Sequence, residues 1–177
     1  MKSESNINII LTNEYFEPGF QKLRESGLNT FHFPMIKTKS VINEIKINLD
    51  LIDCIIFVSK NGVKYFFENE STKKYDLSNK YFVCIGKKTA NNLIKKGYKP
   101  GYICGKNYSM EMSKELKINK VLESKKSLLV QGTLSNSMFY NSLSKFSTVK
   151  KEVFYQTIKT KKESKQIKML SQKNKPY

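Results

Sequence analysis

The chain has no tryptophan, one histidine and, among 32 basic residues, a single arginine, Arg24. A nucleic-acid reader relies on the bidentate fork of arginine, usually with aromatic rings to stack on bases. Here the positive charge is nearly all lysine and is spread along the whole chain. The net charge of +17 therefore suits attraction of a polyanionic small molecule better than a nucleic-acid partner. The one histidine, His32, stands in Phe31-His32-Phe33 and reads as an exposed strand residue. The three cysteines, Cys54, Cys84 and Cys104, form no C-x-x-C pair and no metal-ligand spacing. They read as buried thiols in a reducing compartment, and no His/Cys/carboxylate cluster supports a metal. No apolar run approaches the roughly 20 residues of a membrane span, and Met1 to Asn6 leads into no signal-peptide core. The expectation is a cytoplasmic protein with no membrane and no nucleic-acid partner.

Hydrophobic residues make up 39% of the chain, with 11 Phe and 10 Tyr, enough for a packed core. Apolar runs alternate with helical patterns. Strands are expected at Ile7–Thr12, Thr30–Pro34, Cys54–Val58, Tyr81–Ile85, Gly101–Cys104, Ser127–Gln131 and Thr148–Ile158. Helical patterns fall between them: one from Pro18, one through Val41, Ile45 and Leu49 after a Ser40 cap, and one through Val63, Phe66 and Phe67. Three more run through Thr89–Lys96, from Ser109 through Met112 and Leu116, and through Met138, Phe139, Leu143 and Phe146. On the last strand, alternation puts Val153 and Tyr155 on one face and Phe154 on the other. This rhythm predicts an α/β fold with doubly wound parallel sheets.

The most informative stretch is Tyr81 to Gly97. A β-branched and aromatic strand ends at Gly86, Lys87-Lys88-Thr89 follows, and Gly97 stands where a helix ends. The turn places a glycine, two lysines and a hydroxyl at a helix N-terminus, where free N–H groups favour anions. An ordinary βα unit with Thr89 capping its own helix explains the same residues. The other strand ends, Thr12, Ser59, Gly105-Lys106 and Gly132-Thr133, are also rich in hydroxyls, glycines and lysines. They are poor in carboxylates, so together they predict an anion site.

Five segments, in order, resemble the uroporphyrinogen-III synthase family. Asp53-Cys-Ile-Ile-Phe-Val-Ser-Lys-Asn-Gly-Val63 resembles that family's D-x-hydrophobic-F-T-S-x-N-x-V segment. Cys84-Ile-Gly-Lys-Lys-Thr-Ala-Asn-Asn-Leu-Ile-Lys-Lys-Gly97 is similar to its I-G-x-x-T-A-x-x-L-x-x-x-G. The Tyr108-Ser109 pair, Leu128 to Gly132, and Val153-Phe-Tyr-Gln-Thr157 continue the series. The resemblance covers roughly Ile7 to Thr157.

The resemblance implies two flavodoxin-like α/β domains joined by a two-stranded connector, with the substrate between them. Residues 1–34 would open domain one, 35–40 and 152–158 would be the connector strands, and 41–151 would be domain two. Residues 159–177 would form a charged tail. The family's pattern continues beyond the return strand with a D-x-x-x-F-x-S-P-S-G-like segment, so domain one is expected to be incomplete here. The activity implied is cyclisation of hydroxymethylbilane to uroporphyrinogen III, with inversion of ring D, loss of water, and no metal or organic cofactor. Tyr155 would assist departure of the hydroxyl; its other reading is a half-buried strand tyrosine. Ser59, Asn61, Gly86, Thr89 and Gly132 would line the carboxylate-binding turns. Lys60 and Lys88 would supply nearby cations, or stand as solvated charges. The chain is expected to be a monomer unless a partner completes domain one. A non-catalytic α/β module that binds an anionic ligand or a partner chain is the alternative.

Overall fold

A computed structural model describes residues 8–41, 44–105, 109–160 and 168. The expectations resting on Ile7, Lys106, Tyr108 and most of the tail lie outside the described residues. The chain divides into two compact units, residues 1–39 with 157–177, and residues 40–156.

In the first unit, β1 (Asn8–Leu11) lies parallel to β2 (Asn29–His32), joined by α1 (Pro18–Glu25). Pro18 starts the helix because its fixed φ suits the first turn and its missing N–H is not needed there. This is the expected βαβ opening. His32 is not exposed as expected. It is half-buried, its Nε2 lies 2.7 Å from the Asn13 carbonyl oxygen, and its ring packs edge-on against Phe16.

A six-stranded sheet follows, in the order β3-β8-β7-β4-β5-β6. Its strands are β3 (Ile36–Ser40), β4 (Cys54–Phe57), β5 (Tyr81–Ile85), β6 (Tyr102–Cys104), β7 (Lys126–Gly132) and β8 (Thr148–Lys159). From β8 to β6 every pairing is parallel. Helices α2 (Lys60–Glu68) and α4 (Lys87–Lys95) bury Val63, Phe66, Ala90 and Leu93 with Ile55, Phe57 and Leu128 on one face. Helices α5 (Ser109–Ile118) and α6 (Ser137–Leu143) bury Met112, Leu116, Phe139 and Leu143 with Cys54, Ile56 and Leu129 on the other. A short α3 (Glu70–Lys73) follows α2. Covering both faces is why β4 reads as an unbroken apolar run, with all four residues buried. Each such Ile or Phe contributes about 1.5–3 kcal/mol by burial.

Counted from β4, the parallel strands run 3-2-1-4-5 in order of position, whereas a flavodoxin-like sheet runs 2-1-3-4-5. The sheet is therefore doubly wound with the Rossmann order. Its direction of winding reverses between β4 and β7.

Two further expectations change. No helix spans Val41 to Leu49 among the described residues. Ser40 ends β3, and a 3-10 turn covers Leu49–Leu51. Ile45, Ile47 and Leu49 face inward while Glu44, Lys46 and Asn48 face out, the alternation of extended chain. β-Branched isoleucines at every second position favour that form over a helix.

The alternation on β8 also breaks. Gln131 pairs with Val153, but Gly132 pairs with Tyr155, so Phe154 is an extra residue. This bulge puts two successive side chains, Phe154 and Tyr155, into the same cluster with α2.

Asp53 pins the amino ends of three strands. Its N–H donates to the Lys126 carbonyl and its Oδ2 accepts from the Lys126 N–H, both at 2.8 Å, and its carbonyl accepts from the Tyr81 N–H at 2.9 Å. Its place in the motif is thus structural, at the sheet end opposite the turns discussed next.

Candidate functional site at the carboxyl ends of the sheet

In an open α/β sheet, ligands sit outside the carboxyl ends of the strands where the winding reverses. Here that place lies between the ends of β4 and β7. Ser59 follows β4 and caps α2, with extended backbone (φ −158°, ψ 158°) and its Oγ accepting from the Gly62 N–H at 2.9 Å. The same Oγ lies 3.0 Å from the Tyr155 Oη.

Tyr155 reaches Ser59 because of the bulge. Its ring stacks on Tyr65 of α2, with centroids 5.5 Å apart and planes at 21°. Gly132 lies beneath it: a Cβ built there would stand 2.5 Å from Cε2 and Cζ of the Tyr155 ring. The Gly132 N–H donates to Ser135 Oγ at 3.2 Å. Thr133 N–H donates to the Tyr155 carbonyl at 3.0 Å.

The hydroxyl pair carries two protons. One lies between Ser59 Oγ and Tyr155 Oη, and the other stays available for a third group. Either assignment leaves one O–H donor at the switch point. Tyr65 is the contributor that sequence reasoning missed. Its position after the Ser-Lys-Asn-Gly turn, i+6 from Ser59, was a usable signal only once the bulge on β8 was known.

The neighbouring strand, β5, ends at Gly86, whose φ of +79° favours glycine. Gly86 itself is the N-cap of α4, and no side chain caps that helix. Thr89 is therefore not the cap but the third helical residue, and it is 4% exposed. The amino end of such a helix favours an anion by about 0.3–1 kcal/mol at a surface site. Lys88 is exposed in that turn, and Lys60 and Asn61 are half-buried in the first turn of α2. Direct contacts thus join Tyr155, Ser59 and Gly132 into one cluster. Gly86, Lys88 and Thr89 stand at the end of the adjacent strand, and Lys60 and Asn61 at the start of the helix that Ser59 caps.

The thiols add no nucleophile. Burial pushes Cys54, Cys84 and Cys104 each up to about 12. Among the described residues, no three His, Cys, Asp or Glu side chains gather to hold a metal ion. No described helix is long and apolar enough to cross a membrane. A cavity of about 230 Å³ opens instead at the amino ends of β7 and β8, between Ile47, Leu51 and Ile52. It lies at the sheet end away from the hydroxyl pair, so the chemistry places the candidate site at the carboxyl ends.

The fold and these turns define a doubly wound α/β domain whose strand ends gather glycines, hydroxyls and lysines at one edge. The profile of the uroporphyrinogen-III synthase HemD family matches residues 20–176, and the chain belongs to that family. Comparison with curated proteins finds no match. Among solved structures, a mutant uroporphyrinogen III synthase of the extremely thermophilic bacterium Thermus thermophilus is similar at a TM-score of 0.63 and 16% identity, over 87% of this chain and 64% of that one. The uroporphyrinogen-III synthetase of Helicobacter pylori is similar at 0.60 and 16% identity, over 89% of this chain and 64% of that one. At such identity the likeness concerns the fold. The chain spans 64% of the length of each.

Proposed function

We propose that the protein acts as a uroporphyrinogen-III synthase, closing hydroxymethylbilane to uroporphyrinogen III with inversion of ring D and loss of water. The observation that carries this reading is the Ser59–Tyr155 hydroxyl pair at the switch point of a chain belonging to this family. The available O–H of the pair gives its proton to the terminal hydroxyl of the substrate. The carbon–oxygen bond breaks, water leaves, and a cationic azafulvene remains for ring closure through a spiro intermediate. General acid assistance of this kind is worth about 10²–10⁴-fold. The substrate's carboxylates sit at the amino end of α4, by Thr89 and Lys88, and beside Lys60, with Asn61 at the edge. The positive field of the chain draws the polycarboxylate in.

In this reading residues 1–34 and the tail belong to domain one, 41–151 form domain two, and 35–40 and 152–158 connect them. No metal or organic cofactor takes part, and the protein works in the cytoplasm as a monomer. The test is conversion of hydroxymethylbilane with and without the protein, resolving type I and type III isomers. Type III is expected, and Tyr155→Phe and Thr89→Ala should each lower it. A product of type I alone would reject catalysis and leave an anion-binding module. Type III formation unchanged in both variants would reject the site.

A further inference from the structure

We propose that Gly132 and the bulge at Phe154 form a seat that aims the Tyr155 phenol at Ser59, making Gly132 a positioning residue. Leu128, Val130 and Gly132 alternate along β7 on the face covered by α2 and α4. In unbroken register, Phe154 would lie beside Gly132 and Tyr155 would project to the opposite face, toward α5 and α6. The bulge moves Tyr155 into the place beside Gly132. The ring then lies across the glycine, within 2.5 Å of where a Cβ would stand, with Oη 2.9 Å from that point.

Gly132 is not needed for its backbone. It is not among the glycines with positive φ, which are Gly27, Gly86 and Gly97. Nor is it reserved for a ligand by its amide, which Ser135 Oγ already engages. What Gly132 offers is an absent side chain, and the group that occupies the space is the phenol. Tyr65 stacks on the ring, and Ser59 Oγ fixes its hydroxyl. The ring is thus held by a stack, a hydrogen bond and a gap. The catalytic meaning of this seat rests on the proton-donor role proposed above; the seat itself does not.

Two readouts separate these. The first is thermal unfolding of the full chain carrying Gly132→Ala, Tyr155→Leu and both. Leucine lacks the ring atoms that meet the added methyl but keeps apolar bulk. Gly132→Ala should lower the midpoint by several degrees beside Tyr155 and leave it nearly unchanged beside leucine. An equal drop in both backgrounds would overturn the proposal, because alanine would then be disfavoured for its own reasons. If Gly132→Ala does not fold alone, folding of the double variant supports the seat and its failure overturns it. The second is the ring-carbon resonance of Tyr155, assigned with Tyr155→Phe. Gly132→Ala and Ser59→Ala should both displace it, and an unmoved resonance in Gly132→Ala overturns the proposal. In the isomer assay, Gly132→Ala should lose as much type III product as Tyr155→Phe, with no further loss in the double variant. If wild-type protein makes only type I, the enzymatic reading fails while the unfolding and resonance results still decide the seat.

Discussion

Replacing Ser59 by alanine removes two interactions with one atom. The Oγ caps α2 through the Gly62 N–H at 2.9 Å and meets Tyr155 Oη at 3.0 Å. Losing a serine cap costs about 1 kcal/mol, and losing a partly buried hydrogen bond costs about 1 kcal/mol more. Ser59→Ala should therefore destabilise the protein by about 2 kcal/mol. Tyr155→Phe breaks only the shared bond and should cost about 1 kcal/mol, since Ser59 still caps the helix. The double variant has no third interaction to lose. It should cost about 2 kcal/mol rather than about 3, a coupling of about 1 kcal/mol, against the usual scatter of about 0.3–0.5 kcal/mol for independent sites. Urea unfolding of the four proteins, with equal slopes, measures it. Additive costs would refute the bond. A cost for Ser59→Ala that vanishes in the Tyr155→Phe background would refute the cap.

Three further predictions concern the rest of the sheet. Cys54, Cys84 and Cys104 ionise near 9 when unfolded and are pushed up to about 12 by burial. The unfolded chain therefore binds fewer protons than the folded one above about pH 9. Stability should be full below that pH and fall as pH rises through the interval to about 12, as urea midpoints across alkaline pH would register; a flat profile contradicts it. The same thiols should resist alkylation at mildly alkaline pH until denaturant is added. Asp53→Ala should lose the bond to the Lys126 N–H and about 1–2 kcal/mol of stability. Because Asp53 lies at the amino ends of the strands, conversion per folded molecule should not change, and a selective loss of type III product would show that it serves the site.

The βα rhythm was legible because both faces of the sheet are covered, which turns strands such as Cys54–Phe57 into continuous apolar runs. The helix expected at Val41–Leu49 failed because Val41, Ile45 and Leu49 fit a helical period while Ile45, Ile47 and Leu49 fit a strand period. Tertiary packing chose the second. For the site, Ser59 and Gly86 stood out as strand-end residues, and their capping roles follow from local chemistry. Thr89 did not cap, because Gly86 ends the strand and starts the helix in one residue. The meeting of Tyr155 with Ser59 was hidden for a different reason. A bulge is set by how two strands pair, and alternation read along one strand alone assigns Tyr155 to the wrong face.

The inner unit, residues 40–156, is an insertion within the sequence of the outer one. Where the chain enters and leaves it, Val41 N–H donates to the Phe154 carbonyl at 3.0 Å. This clasp, continued by the pairing of β3 with β8, has a consequence for the order of folding. Bringing the ends of a disordered loop of on the order of a hundred residues together costs about 4 kcal/mol in chain entropy. Once the inner unit has folded, that cost has already been met, and Lys39 and Thr157 begin as neighbours. The inner unit should therefore acquire protection in pulsed hydrogen exchange first, with the pairing of β3 to the far end of β8 following from flanks that are already joined.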